Sequence, residues 1–177
     1  MNIFILDLQH DRCAEYHCNK HINKMVLESA QILSSALWNT GALNDKNTFS
    51  IEGANGRDTY HLRSSGARIY GRAHPHHPCV VWAQSLPHWC WLRGLGRALA
   101  MEYSFRYGRT HASLEIINNL PIPEMRIKTP KQFALAMPDE YKSDDPVKSY
   151  RDYYKSKKGS FEMVWHKRVV PDWFEEN

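Results

Sequence analysis

The sequence predicts a mostly α-helical single domain over residues 1–177, a helical bundle with a short extended segment at its start and long loops. Three observations carry that expectation. Apolar residues recur at helical spacing from about Ala14 to Trp38 and again from about Trp89 to Tyr107. Prolines sit where helices begin, at Pro78 and Pro146. The chain has 177 residues, 42% of them apolar and 24% charged, which suits one core and does not suit a disordered chain.

Taken in order, residues 2–6 (NIFIL) read as a short strand or a buried extended lead-in. Asp7 or Asp11 can cap the long helix that follows, because a carboxylate there accepts bonds from the first unpaired amides. That helix is expected to run unbroken to about Trp38, where NTG stops it. Residues 39–75 are polar and hold five glycines, which predicts a long loop with at most a short ordered turn. HPHHPCVVWAQ opens a second helical region with Pro78 at its first position, and Pro87 separates a short helix from a longer one ending near Tyr107. Residues 112–118 predict a short helix, LPIPEMRIKTP an extended linker, and PKQFALAMPDEY another short helix. Asp145 caps a last helix that Pro146 begins, and the aromatic tail is expected to pack back on the core.

The stretch AEYHCNKHINKMVLESAQ holds the main chemical signal. At about 100° per residue, His17, His21, Lys24, Glu28 and Gln31 fall in a band roughly 80° wide on a single helix. Ile22, Val26 and Leu33 form the apolar side that explains folding. An ordinary solvated face with a Lys24–Glu28 pair explains the stripe without a site. Two histidines on one stripe point instead to chemistry. They could ligate a metal, although HCNKH lacks the glutamate of a metalloprotease HExxH. They could act as acid and base near neutral pH. Lys24 could hold an anion, and Glu28 could accept a proton from an incoming nucleophile.

A second cluster, AHPHHPC, places His77 at a helix N-cap and Cys79 in the first turn, where free amides favour a thiolate or a phosphate. A buried structural cysteine is the plain alternative. Cys13, Cys18, Cys79 and Cys90 form no CxxC pair, so no zinc ribbon or thioredoxin-like motif is present. The net charge of +4 is gathered in Arg57–Arg72 and Lys142–Arg168. In the latter, Lys148, Arg151, Lys155 and Lys158 alternate with Tyr150, Tyr153 and Tyr154, a pairing that suits unpaired bases as well as a packed helix. MNIFILDL is far shorter than the roughly 20 residues of a membrane span and lacks the flanks of a signal peptide. The expectation is a soluble protein of the cytoplasm with no membrane partner.

The series LD…H…KMVLESAQILSSA, HPCVVWA, EYSFRYGRTH, FALAMPDEYK and YRDYY resembles a family of small phage and bacterial proteins that are pyrimidine-dimer DNA glycosylase-like. Some relatives in that family are phage amino acid:DNA transferases of thymidine hypermodification. The resemblance spans most of the chain outside residues 39–70, and implies a glycosylase-like fold. It also implies a reaction on DNA carrying 5-phosphomethyl-deoxyuridine, in which a free amino acid such as glycine or serine replaces the phosphate and the modified viral DNA evades restriction. No metal and no cofactor are implied. On this reading His17, His21, Lys24, Glu28 and Cys79 are catalytic, with Cys79 able to add to the pyrimidine ring. Gln31, Arg63, Arg68, His77, Arg106, Lys148 and Arg151 contact DNA or substrate, with Arg57 beside them. In a phage-encoded protein the compartment is the host cytoplasm. The resemblance leaves a pyrimidine-dimer-type glycosylase or lyase as the runner-up. The dimer-specific enzymes attack with the α-amine of a small N-terminal residue, whereas here Met1 precedes Asn2, whose size keeps the methionine in place. A non-catalytic DNA-binding accessory protein is the third reading.

Overall fold

A computed structural model of the protein describes residues 1–53, 55–124 and 132–175. Seven α-helices and a small sheet are described, so helix dominates as the periodicity predicts. Residues 2–6 are extended, and Ile3, Phe4, Ile5 and Leu6 are all buried. Among the described residues they pair with no strand, and they form the lead-in rather than a strand.

The long helix is broken. α1 spans His10–Tyr16 and α2 spans Asn19–Thr40, with His17 and Cys18 both extended between them. Arg106 supplies the reason: its guanidinium donates to the carbonyls of His17 (2.8 Å) and Glu15 (2.9 Å), while the Trp165 indole donates to Tyr16 O at 2.8 Å. Carbonyls left over at the end of α1 thus find partners from distant chain. The Cys18 amide donates to the Tyr154 hydroxyl at 2.9 Å, which satisfies the start of α2. Neither Asp7 nor Asp11 caps a helix: Gln9 is the N-cap of α1 and makes no side-chain cap bond, and Asp7 instead accepts from the Gln9 amide.

α3 (Pro78–Trp82) and α4 (Leu86–Tyr107) follow the proline signals, with Pro87 inside the first turn of α4 rather than between the helices. α4 packs along α1 and α2, and α5 (Ala112–Asn119) closes against both α2 and α4. A Cβ on Gly96 would lie 3.2 Å from Ser29 Cβ and 3.0 Å from Ile117 Cδ1, so glycine lets the three helices approach there. α6 (Pro146–Lys155) begins as expected, with the Asp145 carboxylate accepting from the amides of Val147 (2.8 Å) and Lys148 (3.2 Å). α7 (Asp172–Glu175) ends the described chain and packs on α6.

Two further expectations need correction. Residues 39–75 are not mainly loop: β1 (Thr48–Glu52), β2 (Asp58–Leu62) and β3 (Arg68–Ile69) form an antiparallel sheet in the order β1-β2-β3. Thr48 pairs with Leu62 and Glu52 with Asp58, and the link between them contains Asn55–Gly56, with Gly56 at φ +70°. An Asn-Gly pair between β-rich runs is a hairpin signal. The helix expected over PKQFALAMPDEY is reduced to one 3₁₀ turn at Asp139–Tyr141, since the Tyr150 hydroxyl bonds both the Ala134 carbonyl and the Ala136 amide and holds the preceding segment irregular. Residues 125–131, which include the end of the expected linker and the start of that helix, lie outside the described residues. Among the described residues no helix is long and apolar enough to cross a membrane.

Candidate active site

Phe4 is the centre from which the site is built. Its ring stacks on His21 (centroids 4.9 Å, 27°) and Tyr153 (6.0 Å, 27°), and meets Tyr154 edge-on at 5.1 Å. Above this aromatic floor the exposed side of α2 presents Lys20, Lys24 and Glu28. Met1, Asn2 and His77 close one end, and Lys157 and Phe161 the other. The result is an open pocket of about 500 Å³. Its size suits a nucleotide-sized ligand, and its mixture of aromatic walls with a few polar groups is what small-ligand sites use.

Glu28 is the single carboxylate on the lining among the described residues. It is 6% exposed, accepts from the Asn2 amide at 2.6 Å, and lies 3.4 Å from the Lys24 ammonium. The backbone bond fixes one carboxylate oxygen, leaving the other toward the lysine. Lys20 lies over the Phe161 ring at 4.3 Å and Lys157 over Tyr153 at 3.8 Å, so each ammonium is steadied by an aromatic face. His21 is 7% exposed, and burial, followed by Lys24, Lys157 and Lys20, lowers its pKa to about 4. It is therefore neutral near pH 7. Its Nδ1 is buried and has no hydrogen-bond partner among the described residues.

The sequence stripe survives in part. His21, Lys24 and Glu28 share the pocket with His77, but Gln31 is half-buried beyond its lining. His17 is separated by the helix break and fully buried, and burial lowers its pKa to about 3. Its Nδ1 donates to the Cys13 carbonyl at 2.7 Å, so it is not a catalytic acid or base on this surface. The same break removes the i,i+4 geometry that two metal-ligating histidines on one helix require. Among the described residues no three His, Cys, Asp or Glu side chains converge on a possible metal position.

Cys79 stands in the first turn of α3 behind His77, whose Nδ1 accepts from the Cys79 amide at 3.2 Å. The cap is as expected; the thiolate is not. Burial pushes the Cys79 thiol up to about 12, and Sγ faces Asn2 Oδ1 at 3.5 Å. A protonated, buried thiol makes Cys79 structural. Burial also lowers the His77 pKa.

Most of the expected DNA contacts lie elsewhere. Arg106 is 2% exposed and bonds Glu102 at 2.7 Å as well as the α1 carbonyls, so it is part of the core. Arg151 donates to Leu6 O at 2.9 Å and covers Trp173 at 5.0 Å, while Lys148 pairs with Asp152 at 2.6 Å. Arg57, Arg63 and Arg68 belong to the sheet region and do not line the pocket. Conversely, Lys20, Lys157, Phe4 and Phe161 line it and escaped the sequence reading, and Tyr153, singled out there beside the C-terminal cations, lines it too. Lys20 had a signal, standing four residues before Lys24 on the same stripe. Comparison of the chain with protein families, with curated proteins and with solved structures finds no match in any of the three.

Proposed function

We propose that the protein transfers a free amino acid to a phosphorylated hydroxymethyl-pyrimidine in DNA. The observation that carries this reading is one oriented carboxylate, Glu28, set among three lysines over an aromatic floor. The substrate base lies against the aromatic wall, unstacked from its duplex. Lys20, Lys24 and Lys157 hold the two anions the reaction brings together, the phosphate and the carboxylate of the incoming amino acid. Glu28 takes a proton from the amino group of that amino acid. The freed amine attacks the methylene carbon on C5: a C–N bond forms, the C–O bond to phosphate breaks, and inorganic phosphate leaves. Direct displacement needs no protein nucleophile, which agrees with the protonated Cys79. Placing amine, base and leaving group together supplies much of the rate as avoided entropy loss.

One observation favours the runner-up, a glycosylase or lyase. Met1 and Asn2 line the pocket beside Glu28, and in dimer-specific glycosylases of the resembled family an α-amine attacks the sugar. That reaction releases the base and leaves a covalent imine that borohydride reduces.

The test is mass spectrometry of nucleosides from DNA containing 5-phosphomethyl-deoxyuridine, incubated with the protein and mixed amino acids. A nucleoside that has lost phosphate and gained one amino acid is the expected product, absent with Glu28→Gln. Base loss with a borohydride-trapped adduct would replace the transferase reading by the lyase one. Unchanged nucleosides, with wild type and variant alike, would sink both.

A further inference from the structure

The lining of the pocket does not end at Lys20. On the other side of that residue, Asn19, Asn23, Tyr103, Tyr107 and Arg109 surround a second hollow of about 360 Å³. Lys20 lines both. We infer that this second hollow binds the nucleotide adjacent to the one being modified, so that the protein takes a strand of DNA rather than a mononucleotide. The inference rests on the nucleic-acid reading of the first pocket and extends it along the strand.

Charge is the first argument. Among the described residues the second hollow is lined by two cations, Lys20 and Arg109, and by no carboxylate. Together with Lys24 and Lys157 they make a cationic series across both hollows, in which Glu28 is the sole acid among the described residues. A repeating anion suits such a series, whereas a single nucleotide uses only the first pocket.

Preorganised stacking is the second. Tyr107 is 37% exposed, yet its hydroxyl donates to Asn19 O at 3.3 Å, which fixes the ring on the start of α2. Tyr103 supports it at 4.8 Å between centroids, and the Arg109 guanidinium covers Tyr103 at 5.6 Å. An exposed ring held rigid beside two cations is the arrangement with which proteins bind single strands irrespective of sequence. The Asn23 carbonyl accepts from His111 Nε2 at 3.1 Å, so that backbone is held in place while the exposed Asn23 amide remains available to a base edge. Arg109 rather than the buried Arg106 is thus the DNA-facing arginine of EYSFRYGRTH.

Fluorescence anisotropy tests this with a labelled single-stranded octanucleotide carrying one 5-phosphomethyl-deoxyuridine, and with the labelled mononucleotide alone. Tyr107→Ala should weaken octanucleotide binding roughly 5- to 150-fold, the span of one lost base–aromatic stack. Arg109→Gln should weaken it and flatten its salt dependence. Tyr107→Phe, which keeps the ring and loses the hydroxyl that fixes it, should weaken binding less than Tyr107→Ala, and none of the three should alter mononucleotide binding. Wild-type affinity for the octanucleotide in both Tyr107→Ala and Arg109→Gln would overturn the second subsite and leave the first pocket standing. An octanucleotide that the wild-type protein does not bind would overturn both.

Discussion

At the scale of single residues, the site separates groups by what burial does to them. Glu28 keeps a backbone donor and a lysine beside it, whereas Cys79, a few ångströms behind Asn2, has lost its thiolate to burial. A thiolate, not a thiol, is the nucleophile, so a pKa near 12 removes Cys79 from covalent chemistry at neutral pH. Cys79→Ser preserves a donor toward Asn2 and should retain transfer activity within a few-fold, measured as product nucleoside per minute. A loss beyond about 100-fold, in protein whose thermal midpoint is unchanged, would return Cys79 to the reaction, since removing a covalent nucleophile costs far more than a few-fold. The same contrast predicts alkylation. Cys90 is exposed and Cys13, Cys18 and Cys79 are buried, so iodoacetamide on the folded protein should label Cys90 alone, as read by peptide mass.

At the scale of elements, the features that depend on neighbours in sequence were legible. The cap at Asp145, the first-turn proline at Pro78 and the long helices follow from local rules. So does the grouping of His21, Lys24 and Glu28, which needs only the period of one helix. The helix break at His17–Cys18 has no such local cause, because the donor that makes it is Arg106, 89 residues away from His17. One false assumption, an unbroken helix, therefore placed a buried His17 on the site. Lys157, Phe161 and Tyr153 reach the pocket only through the packing of the C-terminal segment on Phe4, a contact no periodicity reveals. The hairpin is different, for Asn55–Gly56 was a readable turn outweighed by the polar composition around it. If Arg106 holds the break, Arg106→Met should destabilise the protein by about 2–6 kcal/mol, about 1–3 for each of the two carbonyls left without its donor. Glu102 would still keep Arg168 at 2.8 Å, so the loss falls chiefly on the α1 carbonyls. Urea denaturation measures the change, and amide exchange should quicken at residues 15–19. A difference under about 1 kcal/mol would show that the break stands without its buried arginine, since that is the range of surface substitutions and exposed pairs.

At the scale of the whole molecule, the two α1–α2 histidines tie the fold to pH. His17 is enclosed by the core and His21 by Phe4, Phe161 and Tyr154, and burial lowers their pKa values to about 3 and about 4 from 6.5. Arg106 near His17, and Lys20, Lys24 and Lys157 near His21, oppose protonation further. Above pH 6.5 both histidines are neutral in folded and unfolded chains, so neither makes stability depend on pH. Between pH 6.5 and about 4 the unfolded chain binds protons that the folded one refuses, and stability falls as pH falls. With both sites fully engaged the slope approaches about 2.7 kcal/mol per pH unit, two protons' worth. Urea midpoints taken from pH 7.5 to 4.5 should therefore decline below about pH 6.5, with His10, His77 and His111, also lowered by burial, adding to the fall, and His21→Phe should make the decline shallower. A midpoint flat across that range would mean that both rings take up protons as readily folded as unfolded, contrary to their burial. The consequence reaches the site. With His21 uncharged at working pH, Glu28 is the one anion among the described residues of the lining, and the proton of an incoming ammonium is assigned to it because its charge also attracts that ammonium.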